Sequence, residues 1–442
     1  MLPVVAIVGR PNVGKSTLFN RLTRTRNALI TAFPGTTRDR QYGEVDAGDR
    51  RFIIIDTGGL TEDTDTIGDH ITKQAELAIQ EADKILFVID GKAGVTPEDN
   101  LIAKQLRRIG KPIYLAVNKT ESADPDTILA DAYELGMGQP LAIAAVHGQG
   151  IDKLITTLFP EPTHVDLTDE EKKAQGIKVA FVGCPNAGKS TLTNRMLGEE
   201  RVIVSDIPGT TRDSIYIPFE RHGQAYTLID TAGVRKRGKV HELPEKFSVV
   251  KTLQSIEDAH VVVYVIDARA GLSQQDMKLL GFIVECGRAL VLAINKWDDM
   301  SDYDREQVRS TIDRQLDFVR FARLHFISAL HGSGVGNLFG AIDEAYECAS
   351  RKLSTHKLTE LLQRALVTHS PPLVHGRRVK LRYAHSGGNN PPRIIIHGNQ
   401  VDALPDSYRR YLAGYFQEKL KLFGTPVMVS FKLSNNPYAK HR

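Results

Sequence analysis

The sequence predicts two consecutive α/β domains, each built on a mainly parallel sheet, followed by a small α+β domain. A glycine-rich loop follows a short apolar run twice, 174 residues apart. After each loop, strand-length apolar runs alternate with helix-length periodic segments, which is typical of a parallel sheet with helices on both faces. The segment 351–442 then changes to an α-β-β-α-β order, which predicts a separate layered domain. Its second helix is predicted from Asp406 to Phe423.

The first glycine-rich loop comes directly after the apolar run Val4 to Val8. It matches G-x-x-x-x-G-K-[ST], the P-loop pattern, whose glycines let backbone N–H groups surround a β-phosphate. The lysine reaches the β- and γ-phosphate oxygens, the hydroxyl holds Mg²⁺, and the next helix points its N-terminus at the same phosphates. The predicted phosphate-binding residues are Gly9, Arg10, Pro11, Asn12, Val13, Gly14, Lys15 and Ser16.

Two later stretches of the first domain fit a Mg²⁺-bound triphosphate. The polar stretch Pro34 to Asp39 carries threonines that can close on Mg²⁺ and the γ-phosphate, as GTPase switch loops do. The apolar run Phe52 to Ile55 ends in a carboxylate where the Mg²⁺ shell needs one, and a following glycine N–H can contact the γ-phosphate. This second set is Asp56, Thr57, Gly58 and Gly59.

A base-reading motif follows the strand predicted from Ile113 to Val117. Asn-Lys-x-Asp at this place recognises guanine, because its carboxylate accepts from N1 and N2 hydrogens that adenine does not offer. Here the motif is Asn118, Lys119, Thr120 and Glu121, so the acid has one extra methylene and the affinity of this copy stays open. Ala144-Ala145 stand where such base-side loops often carry Ser-Ala, which leaves the contact to the backbone.

The second copy repeats the same order of motifs with an intact guanine-reading set. Its phosphate loop follows Val179 to Val182, its Pro-Gly-Thr-Thr-Arg-Asp stretch begins at Pro208, and its final base-side loop contains Ser328 and Ala329. The remaining site residues are Gly183, Cys184, Pro185, Asn186, Ala187, Gly188, Lys189, Ser190, Asp230, Thr231, Ala232, Gly233, Asn295, Lys296, Trp297 and Asp298.

The residues expected to activate water are unusual. Many GTPases place a glutamine after Asp-x-x-Gly to orient the nucleophile, but this sequence has Leu60 and Val234 there. Neither side chain can donate a hydrogen bond, so hydrolysis should be slow or assisted. Asn12 and Asn186 could each hold a monovalent cation against the phosphates; alternatively, they only stabilise the loop turn.

The C-terminal segment is strongly basic. From Arg351 onwards, 16 Lys/Arg face 4 Asp/Glu, whereas the rest of the chain has 41 and 49. Such asymmetry favours a polyanion, and the α-β-β-α-β order resembles a KH domain, although the RNA-clamping G-x-x-G loop is absent. Phosphate contacts are therefore predicted for Arg377, Arg378, Lys380, Arg382, Arg409 and Arg410.

Composition and boundaries complete the prediction. No apolar run approaches the roughly 20 residues of a membrane span, and the N-terminus lacks a basic leader, so a cytoplasmic protein is expected. Cys184, Cys286 and Cys348 have no disulfide or metal-ligand spacing. The predicted organisation is a first G domain at 1–160, an acidic linker at 161–176, a second G domain at 177–350 and the KH-like domain at 351–442.

The doubled motif set together with the KH-like tail resembles the bacterial tandem GTPases of the Der (EngA) family, in the Era-like group. The resemblance implies GTP hydrolysis, potassium dependence through the loop asparagines, and Mg²⁺ contacts from Thr37 and Thr211. It also implies a monomeric, nucleotide-switched factor in maturation of the large ribosomal subunit, with its rRNA as partner. The alternative is a nucleotide-sensing RNA adaptor in which only the second G domain hydrolyses.

Overall fold

The computed structural model describes residues 1–23, 41–57, 73–122, 125–163, 175–198, 202–204, 216–229, 249–298, 300–374 and 377–433. It divides into two compact units, Met1–Thr168 and Asp169–Arg442. The first unit holds one α/β domain, and the second holds another α/β domain together with the C-terminal α+β domain.

The first unit is built on a six-stranded sheet with the order β2-β3-β1-β4-β5-β6. All its strand pairs are parallel except β2 with β3, which form an antiparallel hairpin. Its strands are β1 (Val4–Val8), β2 (Gln41–Ala47), β3 (Arg50–Asp56), β4 (Lys84–Asp90), β5 (Ile113–Asn118) and β6 (Leu141–Ala142). Its helices are α1 (Lys15–Thr23), α2 (Lys73–Glu81), α3 (Pro97–Arg107), α4 (Pro125–Tyr133) and α5 (Ile151–Leu158).

The core of this unit explains why the central strands are so apolar. Strands β1 and β4 are covered on both faces, so consecutive residues such as Ala6 and Ile7, or Leu86 and Phe87, are all buried although they point to opposite faces. Helix α5 places an apolar residue every three or four positions and packs this side into the same core.

The second unit begins with a seven-stranded sheet of order β13-β12-β11-β7-β10-β9-β8. Its strands are β7 (Ile177–Val182), β8 (Val202–Val204), β9 (Tyr216–Arg221), β10 (Gln224–Ile229), β11 (Val261–Asp267), β12 (Ala289–Asn295) and β13 (Arg323–Phe326). Its helices are α6 (Lys189–Leu197), α7 (Val249–Asp258), α8 (Gln274–Glu285), α9 (Asp302–Gln315) and α10 (Asn337–Ser350). The strand order around β7 repeats that around β1, so both phosphate loops leave the centre of a sheet.

The α+β domain follows without a break. Its elements are α11 (Thr355–Thr368), a short hairpin of β14 (Leu373–Val374) with β15 (Arg377–Arg378), β16 (Lys380–Gly388), β17 (Arg393–Asn399), α12 (Asp406–Leu420) and β18 (Met428–Leu433). The main sheet has the order β16-β17-β18, with β17 and β18 parallel. Backbone bonds join this domain to its neighbour within the unit, from Leu290 N–H to Gly424 O and from Gly424 N–H to Phe321 O.

The structure confirms the predicted fold class and adds two differences. The β2–β3 hairpin was missed, although the turn at Gly48, whose N–H donates to the Asp46 carboxylate, offered a sequence signal. Helix α12 was predicted to run to Phe423 but ends at Leu420, because Lys421 adopts a left-handed conformation with φ of 50°. Within the described ranges, no helix combines the length and apolar character that a membrane span requires.

Candidate nucleotide-binding sites

Both phosphate loops require glycine at their last turn. Gly14 has φ of 96°, and a Cβ there would lie 2.3 Å from the Asn118 Nδ2 atom. Gly188 has φ of 94°, with a Cβ position 2.2 Å from Asn295 Nδ2. Because left-handed φ is accessible to glycine at little cost, each loop can turn into its helix while touching the base-reading asparagine. The phosphate and base sites are therefore in direct contact in each domain.

The phosphate-loop lysines are buried and held by the loop itself. Lys15 Nζ donates to Gly9 O at 2.7 Å and to Arg10 O at 2.8 Å. Lys189 Nζ donates to Cys184 O at 2.9 Å. Burial lowers the pKa of Lys15, partly offset by the Asp56 carboxylate. An anionic phosphate would stabilise the charged ammonium that burial disfavours.

The loop asparagines have a conformational role that the structure makes explicit. Asn12 and Asn186 have φ of 64° and 63°, in the left-handed region that asparagine tolerates better than most residues. Both side chains belong to exposed residues at the loop tip. The left-handed φ values fit the alternative in which these asparagines stabilise the loop turn. Their exposed side-chain amides are also accessible to a ligand.

The Mg²⁺ ligands predicted for the first domain combine a hydroxyl and a carboxylate, the hard oxygen donors that this ion prefers. Ser16 opens helix α1 next to Lys15, and Asp56 ends β3 beside β1, in register with Ile7. Thr57 donates to Ile7 O at 2.7 Å, which ties the end of β3 to the strand that precedes the phosphate loop. These residues fit the ion, and Ser190 occupies the corresponding position in helix α6.

The asparagines predicted to read the base link three elements. Asn118 is buried; its Nδ2 donates to Val13 O at 2.9 Å, and its Oδ1 accepts from Ala145 N–H at 3.0 Å. Asn295 repeats this pattern with Ala187 O at 2.8 Å and Ala329 N–H at 2.9 Å. Each asparagine therefore fixes the phosphate loop and the final base-side loop in one arrangement.

The base-reading lysines are held in the same way. Lys119 and Lys296 both have left-handed φ values, 67° and 63°. Lys119 Nζ donates to Asp90 Oδ2 at 2.6 Å and to Asn12 O at 2.7 Å, while Lys296 Nζ donates to Asp267 Oδ2 at 2.5 Å. Burial raises the pKa of Asp90, but the bonds from Lys119 and the Lys92 N–H outweigh it and lower the pKa overall. Backbone strain of this kind is typical of functional sites.

The two carboxylates predicted to read guanine have different partners. Glu121 pairs with Lys92 at 2.9 Å, and this contact lowers the pKa of Glu121. Asp298 is hydrogen-bonded by Ser328 and lies 3.1 Å from the His331 Nε2 atom; the Ser328 bond chiefly lowers the pKa of Asp298. Both acids are thus kept ionised, which the acceptor role requires. Thr120 and Trp297 occupy the intervening motif positions, and the Trp297 ring packs against Phe326 with ring centroids 4.2 Å apart and a 38° tilt between the planes.

Sequence reasoning missed a second difference between the domains. Arg10, in the first phosphate loop, pairs with the fully buried Asp99 at 3.4 Å. In the second loop Cys184 occupies this position, 3.5 Å from Ser273 Oγ, and burial raises the pKa of its thiol to about 11. There the buried acid is Asp276, which accepts from Tyr264 OH at 2.8 Å. Alignment of the two repeats, which places Arg10 opposite Cys184, was the signal in the sequence that could have revealed this difference.

The predicted RNA-contact residues of the C-terminal domain are not equivalent. Lys380, Arg382 and Arg410 are exposed. Arg409 instead donates to the Leu404 and Val401 carbonyls and lies over Phe431. Of Arg377 and Arg378 only the backbone, in β15, is described. Predicted nucleotide-site residues that lie outside the described ranges are Thr37, Gly58, Gly59, Leu60, Thr211, Asp230, Thr231, Ala232, Gly233 and Val234.

Each site has a phosphate loop at the centre of the sheet and an Asn-Lys motif at the end of a neighbouring strand. Two such sites define a protein with tandem GTP-binding domains. The family model described as 50S ribosome-binding GTPase matches residues 4–119 and 178–296. A second model, described as KH-domain-like of EngA bacterial GTPase enzymes, C-terminal, matches residues 352–432.

Similar proteins identify the family more closely. The chain is 56% identical to GTPase Der of Photorhabdus laumondii over 472 residues, covering 100% of this chain and 96% of that protein. It is also 56% identical to GTPase Der of Thioalkalivibrio sulfidiphilus over 445 residues, with the same coverage. The chain belongs to the Der GTPase family, as its repeated motifs and KH-like tail predicted.

Proposed function

We propose that this protein hydrolyses GTP to GDP and phosphate at both G domains and acts as a nucleotide-switched assembly factor for the large ribosomal subunit. The observation that carries the proposal is the repetition of a full base-and-phosphate constellation, with Asn118 and Asn295 each bonded to their own phosphate loop. A domain that had lost nucleotide binding would have little reason to keep a buried polar asparagine in this geometry.

Hydrolysis here depends on positioning and charge stabilisation. Lys15 and Lys189 neutralise phosphate charge from within the loops, and Ser16 and Ser190 supply hydroxyl ligands to Mg²⁺. Bound Mg²⁺ supplies positive charge at the β- and γ-phosphates. Asp56 supports the ion from the adjacent strand, and Asp230, Thr37 and Thr211 are proposed for the same shell on sequence grounds.

Asn12 and Asn186 are proposed to bind a monovalent cation, K⁺ in particular, when the triphosphate is present. The support is their exposure at the tip of the phosphate loop, in a backbone conformation that leaves the amide free of the adjoining helix. A cation held there would add positive charge near the transferred phosphoryl group, where Leu60 and Val234 supply none.

The ribosomal partner is proposed from two observations. The family model that matches both G domains is described as a ribosome-binding GTPase, and the C-terminal domain is strongly basic. Exposed Lys380, Arg382 and Arg410 can contact rRNA phosphates without a G-x-x-G clamp. Arg377 and Arg378 extend this proposal, whereas the contacts of Arg409 to its own domain give it a structural role first.

Turnover of two lysine variants tests the hydrolytic part. Lys15→Ala and Lys189→Ala should each remove one site's contribution to GTP hydrolysis, by a factor of about 100 or more at that site. Only Lys189→Ala would reduce hydrolysis if the first domain merely senses nucleotide, as an adaptor would. Unchanged turnover in both variants would contradict an enzyme with these two sites.

Co-sedimentation with large ribosomal subunits tests the switch. The proposal expects pelleting that differs between GDP and a non-hydrolysable GTP analogue. Equal pelleting in both states would leave an RNA contact without a switch. Absence of pelleting in either state would contradict a ribosomal partner.

A further inference from the structure

Each G domain contains an arginine, outside every motif described above, that joins the phosphate-loop helix to the base-side loop. Arg21 lies in the last turn of α1, and its Nε donates to Ala145 O at 3.0 Å. Its Nη2 also donates to Val146 O. Two donors from one guanidinium on consecutive carbonyls fix the orientation of both peptide groups.

The second domain has the same contact. Arg195, in the last turn of α6, donates through Nε to Ala329 O at 3.4 Å and through Nη2 to Leu330 O. Arg21 and Arg195 are 174 residues apart, the spacing of the phosphate loops themselves. Two loops with different side chains therefore receive the same arginine contact.

The loop is shaped to accept the guanidinium. Gly148 and Gly332 have φ of 79° and 86°, and a Cβ at either would lie 3.6 Å from the arginine Cζ. Their N–H groups donate to Ala144 O at 2.8 Å and Ser328 O at 2.7 Å, which closes the loop on itself. The arginine thus lies against a tight turn whose carbonyls face it and whose remaining backbone faces the base-reading asparagine.

This arrangement has a consequence for guanine. The arginine-bound carbonyls of Ala145 and Ala329 share their peptide groups with the N–H groups of Val146 and Leu330, while the Ala145 and Ala329 N–H groups already donate to Asn118 and Asn295 Oδ1. Guanine O6 is a hydrogen-bond acceptor that adenine replaces with a donor, so the Val146 and Leu330 N–H groups are the donors that the arginines would orient towards it. The side chains of Ala144, Ala145 and Val146 carry no polar group and cannot supply this contact. Orientation of the peptide groups then determines how well O6 is bound.

We propose that Arg21 and Arg195 are positioning residues for base specificity, each holding the base-side loop of its own domain in the geometry that binds guanine O6. The inference rests on the proposed guanine-nucleotide function and deepens it. Because each arginine belongs to the helix that the phosphate loop starts, it also couples the phosphate site to the base site.

The test measures nucleotide dissociation from the full-length chain, with GDP, IDP and the diphosphate of 2-aminopurine riboside. IDP keeps O6 and lacks the 2-amino group, while the 2-aminopurine nucleotide keeps that group and lacks O6. Arg21→Gln should accelerate one of two GDP dissociation phases about tenfold, the scale of one charge-assisted hydrogen bond, and Arg195→Gln the other. IDP should show the same acceleration, and the 2-aminopurine nucleotide none.

Two further variants separate orientation from general loosening. Arg21→Lys keeps the charge but loses the planar pair of donors that reaches both carbonyls, so it should accelerate GDP dissociation nearly as much as Arg21→Gln. Arg50→Gln is a matched control, because Arg50 donates to Phe159 O at 2.7 Å and Pro160 O at 3.4 Å in the same domain, away from the loop. It should leave dissociation unchanged.

The outcomes are distinguishable. Equal acceleration for all three nucleotides would reduce the arginines to a structural role, and no acceleration for GDP would overturn the inference. A wild-type chain that does not retain GDP at all would instead contradict the proposed function.

Discussion

The two G domains share a fold and a motif order, but the buried acid beside the phosphate loop has a cationic partner in the first domain and a neutral partner in the second. In the first domain, Asp99 forms the capping box of helix α3 with the N-cap residue Thr96 and pairs with Arg10 of the phosphate loop. In the second, Asp276 caps α8 through Ser273 and accepts a bond from Tyr264. The first solution puts a permanent cation in the phosphate loop, whereas the second leaves a neutral thiol there. Repetition of motifs therefore conserved the binding geometry while the supporting charges diverged.

The largest expected effect comes from removing the arginine of this pair. Arg10→Cys, which copies the second domain's residue, leaves the buried Asp99 carboxylate without a cation and should destabilise the first domain by about 3 kcal/mol. Thermal unfolding of the full chain would show the loss in the transition of that domain. Cys184→Ala is the matched control, because it removes no charge; an unchanged transition in Arg10→Cys would break the comparison.

The phosphate-loop lysine predicts a pH effect. Burial lowers the pKa of Lys15 in the free protein, and bound phosphate should raise it again. GDP affinity is then complete below the free-state pKa and falls as pH rises from that value towards the bound-state pKa. The decline approaches about tenfold per pH unit between the two values. Titration of GDP affinity on the alkaline side checks this, and a flat profile up to the ordinary lysine range would contradict it.

A smaller effect is expected at the tyrosine of the second domain. Tyr264→Phe copies Phe87, the residue at the corresponding strand position, and removes the hydroxyl that donates to Asp276. Burial raises the pKa of Tyr264, so this hydroxyl is a neutral donor. Its loss should cost about 1–2 kcal/mol, less than Arg10→Cys. Phe87→Tyr is the reverse control, and a larger loss in Tyr264→Phe than in Arg10→Cys would invert the comparison.

The smallest effect concerns the guanine-reading carboxylates. Glu121→Asp removes the extra methylene by which the first guanine-reading motif differs from the second. It should raise the GDP affinity of that site by about threefold, the scale of an exposed ionic contact. The reciprocal change Asp298→Glu should weaken the second site similarly. Equilibrium binding with GDP measures both, and equal affinities before and after the exchange would show that the loop, not the acid, sets the difference.

Much of the fold and of the site could be predicted because the signals are local. Glycine spacing around Lys15 and Lys189 specifies a phosphate loop, and apolar runs such as Ile113 to Val117 specify buried parallel strands. Helix α12 was predicted too long because one left-handed residue, Lys421, ends it, and no periodicity marks such a position. The β2–β3 hairpin was missed because β2, at the edge of the sheet, carries Gln41, Glu44 and Asp46 among its apolar residues and so lacks a strand-length apolar run.

The sequence by itself determined the two phosphate loops, the central parallel strands with their helices, and membership of the Der GTPase family, since each depends on residue type at fixed spacing. Only the tertiary structure decided which partners the charged side chains contact. The contacts of Arg10 with Asp99, of Arg21 with the Ala145 carbonyl and of Lys92 with Glu121 join residues 29 to 124 positions apart. The separation of two residues along the chain does not predict such pairs, because they meet only when the folded sheet brings strand ends and helix ends to one edge.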